Sequence, residues 1–180
     1  MVYVFLANGF EETEAIAPID ILKRAKQEVV TVGVGGKTIE STHGIKVVCD
    51  MEESELSDTC DFDAVVLPGG MPGTVNLENS VKVQFFIDRA VSEKKLVAAI
   101  CAAPSILGHK GILNGKKATC FPGFESDLIG CEVLTDGVCC DDNIITAKGA
   151  GVALPFGFAI AAYLTNEETS EEIRKTMQCE

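Results

Sequence analysis

Apolar residues fall into two rhythms along this chain. Short continuous apolar runs occupy residues 2–6, 29–34, 64–67 and 96–100, and most end at glycine, proline or a small residue. Runs of this length, rich in β-branched side chains, predict strands buried on both faces. Between them, apolar positions recur at helical spacing and predict helices over 12–25, 80–93, 104–109, 152–164 and 170–177. In the first helix, Ala15, Ile16, Ile19 and Leu22 form the inner stripe. Acids lie in its first turn and Lys23 and Arg24 in its last, as the helix dipole favours. Pro18 falls in its middle, where a kink is expected. In the second helix, Val81, Phe85 and Ala90, with Phe86 or Ile87, are expected to face inward. Phe156 and Phe158 are read as core in the helix over 152–164.

Weaker, alternating segments complete the pattern. Residues 118–121, 131–134, 138–140 and 144–147 predict short strands, the last three near a sheet edge. Residues 38–40 and 45–49, joined across His43 and Gly44, predict a hairpin outside the main sheet. Residues 51–61 read as an acidic connector. Strands alternate with helices almost throughout. That predicts a single α/β domain over residues 1–180, a mostly parallel sheet with helices on both faces.

In such sheets a site lies at the carboxyl ends of the strands. Three segments bring unusual residues to that edge: 9–14 after the first strand, the Pro- and Gly-rich 68–73 after the third, and 101–104 after the fourth. Cys101 ends an apolar run and is followed by Ala102, Ala103 and Pro104. Proline suits the first position of a helix, so Cys101 sits in a strand-to-helix turn. The free N–H groups of that helix end favour a thiolate. The plainer alternative is an inert buried thiol, common for cysteine. Glu14 likewise has a plain reading, as an acid satisfying the start of its helix.

Composition narrows the field. The chain has 180 residues and a formal net charge of −12. An acidic surface argues against nucleic acid and anionic membranes as partners. No apolar run approaches the roughly 18–20 residues of a membrane span, and no basic leader precedes the first strand. A cytoplasmic protein is the expectation. The eight cysteines form no Cys-x-x-Cys, and His43 and His109 have no zinc-like spacing, so no metal is expected. Free thiols are expected, including the adjacent Cys139 and Cys140.

Four motifs occur in order: Gly9-Phe-Glu-Glu-Thr-Glu14 with Pro18-x-Asp20, Val65-Val-Leu-Pro-Gly-Gly70, Ala98-Ala-Ile-Cys-Ala-Ala-Pro104 and Thr146-Ala-Lys-Gly-Ala-Gly151. Together they resemble the DJ-1/ThiJ/PfpI superfamily, in its DJ-1/ThiJ-like branch, over essentially the whole chain. The resemblance implies a flavodoxin-like fold, a strained nucleophile elbow at the cysteine, and a homodimer in contact through the first helix and the 38–49 hairpin. It implies that Cys101 is the reactive cysteine and that the Glu14 carboxyl group hydrogen-bonds it. It implies that the backbone N–H groups of Gly70 and Ala102 form an oxyanion pocket. Phe10, Phe121 and Pro122 are candidates for the lining of the pocket mouth. No cofactor is implied.

Two departures limit the activity. Ala102 follows the cysteine where the protease-like branch has histidine, which argues against a peptidase. Phe121 stands in the segment where many DJ-1-like members carry a histidine. Neither His43 nor His109 is expected to serve Cys101. The resemblance allows an enzyme acting on small 2-oxoaldehydes, of glyoxalase or deglycase type, in stress protection. The alternative is a redox-responsive protein whose cysteine oxidises to sulfinate, its partner an oxidant instead of a carbonyl compound. Thiazole synthesis, suggested by the ThiJ name, lacks a phosphate-cradling loop here.

Overall fold

The computed structural model describes residues 1–179. In chain order it contains β1 (Val2–Ala7), α1 (Glu12–Arg24), β2 (Val29–Val34), β3 (Thr38–Glu40), β4 (Lys46–Val48), β5 (Met51–Glu52), β6 (Ala64–Leu67), α2 (Gly73–Asn79), α3 (Val81–Ser92) and β7 (Leu96–Ile100). There follow α4 (Pro104–His109), β8 (Lys117–Ala118), β9 (Glu132–Val133), β10 (Val138–Asp141), β11 (Ile144–Ala147), α5 (Ala153–Leu164) and α6 (Glu167–Thr176). The main sheet has seven strands in the order β10-β11-β7-β6-β1-β2-β5. Its neighbours are parallel except for β10 with β11. This is a mixed α/β fold, as the alternation of runs predicts, and of the flavodoxin-like kind, as the resemblance implies.

The continuous apolar runs follow from two-sided burial. Along β1, Val2, Val4 and Leu6 belong to one core cluster and Tyr3, Phe5 and Ala7 to the other. The first cluster takes Ile21 and Leu22 from α1 and Phe156, Phe158 and Ile160 from α5. The second takes Val83, Phe86 and Ile87 from α3 and Ile106 and Leu107 from α4. Helices on both faces leave no polar side for these strands to show. On the first face α1 and α5 approach closely. A Cβ on Gly157 would stand 2.6 Å from Ile21 Cδ1 and 3.0 Å from the Pro18 Cα. Pro18 stays inside α1.

Several expectations are corrected. The inner stripe of α3 is Val83, Phe86, Ile87 and Ala90, whereas Val81 and Phe85 are exposed. Ser80 sets that phase, because its side chain accepts the Val83 N–H at 3.1 Å and caps the helix. Phe86 then packs at ring-centroid distances of 5.6 Å from Tyr3 and 5.3 Å from Phe62. On α1, Ile16 is exposed and Ile21 takes an inner position. β11 lies inside the sheet beside β7, and all its residues are buried. Of residues 118–121 only Ala118 is in a strand. The acidic connector begins with β5, which extends the main sheet. Residues 73–79 form α2, and α6 begins at Glu167, capped by Asn166, whose side chain accepts the Thr169 N–H at 2.8 Å.

β3 and β4 form a separate two-stranded sheet, as expected. That hairpin and α1 leave Ile16, Ile45 and Val48 exposed on the elements expected to meet a second copy. Among the described residues, no helix is long and apolar enough to cross a membrane. The order of strands matters most for the site. From β1 the chain moves outward to β2 on one side. It later returns to β6 on the other side and moves on to β7. The helices that follow β1 and β6 therefore pack on opposite faces, α1 in the first core cluster and α3 in the second, and the strand order reverses between them.

Candidate active site

Cys101 follows β7, the neighbour of β6 in the sheet. Its φ is +66°, in the left-handed region. For a residue with a side chain this costs on the order of 1–3 kcal/mol. Both of its backbone groups are held. The Cys101 N–H donates to the Ala147 carbonyl at 2.8 Å, and its carbonyl accepts from the Phe121 N–H at 2.8 Å. Neighbouring segments thus keep the elbow strained, and Pro104 opens α4 directly behind it. The thiol is half-buried.

Glu14 reaches the same point from α1. Its helix starts at Glu11, whose carboxylate accepts the Glu14 N–H at 2.7 Å. The Glu14 side chain is itself 1% exposed. Its Oε2 accepts the Gly69 N–H at 2.9 Å, and it also meets the Ala150 N–H and the Cys101 thiol. Burial raises the Glu14 carboxyl to about 7, against the pull of those hydrogen bonds. Burial also raises the Cys101 thiol to about 12, with the Glu14 carboxylate acting in the same direction. The N–H groups of Gly70 and Ala102 pull it down, but less. The N–H groups at the helix end thus act in the expected direction without prevailing. α4 is short, and burial beside an acid outweighs its end. A thiolate here depends on Glu14 keeping its proton, which removes the repelling charge and turns the carboxyl into a donor.

The β6 loop closes the site by backbone contact. Gly70, with φ +88°, packs so tightly that an added Cβ would lie 2.4 Å from the Glu11 N. A Cβ on Gly69 would lie 2.5 Å from Cys101 Cβ and 2.7 Å from Glu14 Oε2. The Glu11 N–H donates to the Gly69 carbonyl at 3.0 Å, and the Gly73 N–H to the Gly9 carbonyl at 3.1 Å. The three turns named from the sequence therefore meet.

Cys101, Glu14, Gly70 and Ala102 are brought together. Phe121 and Pro122 line a cleft of about 400 Å³ with Gly149, Ala150, Gly151 and Val152. Phe10 does not line it. Its side chain is fully buried in the core cluster beneath α1. Its carbonyl is taken by the Thr42 N–H at 2.8 Å. His43 is held by Glu12 at 2.7 Å and His109 by Glu78 at 2.6 Å, so both imidazoles are engaged away from the sulfur. Glu11, Glu12 and His43 bring ligand-type atoms within 4.8 Å of one another. Glu11 is committed to the α1 cap and Glu12 Oε1 to His43, while Glu12 Oε2 is buried without a hydrogen-bond partner among the described residues.

Sequence reasoning missed Gly69 and Ala150. The adjacent glycines after β6 carried the signal for the first. The second acts through its backbone, which no side chain advertises.

The DJ-1/PfpI family sequence model matches residues 1–163. The chain belongs to the DJ-1/PfpI family. It is 35% identical over 176 residues to Protein DJ-1 homolog A of Arabidopsis thaliana, covering 96% of this chain and 45% of that protein. It thus spans less than half the length of that relative. It is 37% identical over 145 residues to a Pyrococcus horikoshii protein named a deglycase, covering 79% of this chain and 86% of the other. The solved structure of oxidized Toxoplasma gondii DJ-1 superposes with a TM-score of 0.94 at 31% identity, over 98% of this chain and 97% of that one.

Proposed function

We propose that this DJ-1/PfpI chain converts small 2-oxoaldehydes to hydroxy acids, or releases them from adducts, through Cys101 and Glu14. The observation that carries the reading is one hydrogen-bonded unit. A buried carboxyl group raised to about 7 touches the elbow thiol, and two backbone N–H groups face the same sulfur. In the reactive form Glu14 holds the proton and Cys101 is the thiolate. The sulfur attacks the aldehyde carbon of methylglyoxal. The Gly70 and Ala102 N–H groups hold the resulting oxyanion, and Glu14 then protonates it. As a carboxylate, Glu14 takes the proton from that carbon and returns it to the neighbouring carbon, while the ketone becomes a hydroxyl group. The thioester so formed is hydrolysed by water, giving lactate and the free thiol. Water is the only other reactant, and no histidine takes part. The deglycase name of the Pyrococcus relative agrees with this class of substrate.

The test is lactate formation from methylglyoxal by wild type and Cys101→Ser at matched concentration. The serine variant is expected to lose all measurable lactate. Wild-type rates in that variant sink the mechanism.

A second reading rests on the half-buried sulfur with its donors. The thiolate attacks one hydrogen peroxide, releasing water and leaving a sulfenate, and the sulfenate attacks a second, releasing water again, to give sulfinate. Gly70, Ala102 and a protonated Glu14 would hold the new oxygens. In a peroxide titration read by peptide mass, two added oxygens are expected on Cys101 before any other cysteine. Equal oxidation of exposed Cys140 and Cys101 counts against it.

A further inference from the structure

We infer that the cleft beside Cys101 is a subsite for the substituent of the carbonyl compound, and that it selects an aromatic or bulky aliphatic group over a methyl or anionic one. This deepens the carbonyl reading of Cys101 and rests on it for the identity of the substrate. Three observations carry it.

First, the cleft adjoins the elbow through Phe121 and Gly149, which line it. The Phe121 N–H is hydrogen-bonded to the Cys101 carbonyl, so this aromatic residue is tied to the elbow itself. At Gly149, a Cβ would stand 3.3 Å from the Phe121 ring and 3.9 Å from Glu14 Oε1. The next residue, Ala150, gives its N–H to Glu14. A molecule bonded to Cys101 and within reach of Glu14 therefore has this cleft as its neighbour.

Second, the walls are carbon. Phe121, Pro122 and Val152 present apolar side chains, Gly149 and Gly151 present backbone, and almost no polar atom faces the space. Lys148 contributes its stem, with its ammonium outside the cleft. The volume, about 400 Å³, far exceeds what a methyl group fills. Phe121 is 47% exposed and Pro122 is exposed, so apolar surface stands open to water beside the thiol. Covering it with an apolar substituent is favourable.

Third, nothing in the cleft recompenses an anion. The chain carries a net charge of −12, and Glu14 Oε1 stands 3.9 Å from a Cβ built on Gly149 in the cleft wall. A carboxylate substituent would lose water and gain no partner there.

The experiment reads the subsite without turnover. Rate constants for alkylation of Cys101 in the full chain are measured by peptide mass with N-benzyl iodoacetamide, iodoacetamide and iodoacetate. Each is divided by the rate with a small free thiol. Wild type is expected to favour the benzyl reagent over iodoacetamide by about tenfold, the usual reach of an apolar pocket, and to disfavour iodoacetate. Phe121→Ala removes a wall and Gly151→Leu fills the space, and both are expected to bring the benzyl preference near that of the free thiol. An added Cβ at Gly151 meets nothing within 4 Å, so the second variant folds on its own terms even if the first does not. A wild-type ratio equal to the free thiol's, iodoacetate as the favoured reagent, or an unchanged ratio in Gly151→Leu overturns the subsite. A benzyl preference without lactate formation leaves the subsite standing and removes the glyoxalase reading. Lactate formation with a flat ratio removes the subsite alone.

Discussion

Gly69→Ala is expected to collapse the site while leaving every catalytic side chain in the sequence. The added methyl carbon would stand 2.5 Å from Cys101 Cβ, 2.7 Å from Glu14 Oε2 and 2.9 Å from the Ile100 carbonyl. None of these can yield freely. Cys101 is pinned by hydrogen bonds to Ala147 and Phe121, and Glu14 by the N–H of Gly69 itself. Overpacking a closed site costs about 1–3 kcal/mol, which would appear as a lower midpoint in urea. Displacing the loop also moves Gly70, one of the donors facing the sulfur, so lactate formation should disappear. Gly151→Ala serves as the stability control, because its Cβ meets nothing within 4 Å. A Gly69→Ala protein with the wild-type midpoint and full activity would mean that the β6 loop does not hold the thiol and the acid together.

Glu14→Gln is expected to separate two roles of one residue. The folded carboxyl titrates near 7, above the ordinary value of 4.5. Between those values the unfolded chain has released its proton and the folded chain still holds it. The folded state thus binds more protons, and stability falls as pH rises through this window. The accumulated penalty by neutral pH is about 3 kcal/mol. Glutamine has nearly the same shape and no titration. The variant should therefore match wild type near pH 4.5 and gain on it by about 3 kcal/mol above pH 7, measured by urea unfolding at a series of pH values. Its activity should move the other way. Without a carboxylate to carry the proton between carbons, lactate formation should fall by about 10²–10⁴-fold. Stability curves that run parallel at every pH would mean that the folded Glu14 carboxyl titrates at its ordinary value of 4.5 and is ionised at neutral pH. The proposed proton holder for Cys101 would then be lost.

The legible parts of this protein were those where local pattern and tertiary environment say the same thing. β1, β2, β6 and β7 sit in the middle of the sheet, so burial on both faces writes itself as unbroken apolar runs. Pro104 at the start of α4 and Ser80 at the start of α3 are local signals and were used by the fold where they stand. β11 was harder. Thr146 interrupts its apolar run, yet it is fully buried because its hydroxyl accepts the Thr119 N–H at 2.9 Å. A partner distant in sequence makes that position acceptable. α2 likewise depends on outside anchors, with the Asn76 side chain donating to the Asn8 carbonyl at 2.8 Å.

By itself the sequence determined the alternation of strands and helices, the family, and the three turns that meet. These follow from periodicity and from motifs whose order survives any detail of packing. Tertiary structure alone decided the rest. It buried Phe10, an aromatic residue of the turn after β1 that was a candidate for the pocket mouth. It made Gly69 indispensable through a contact across loops. It raised the Cys101 thiol, where the helix end alone pointed the other way. Each of these depends on what stands within a few ångströms from another part of the chain. Steric fit and the loss of water around a charge are set at that range, and sequence neighbours do not report them.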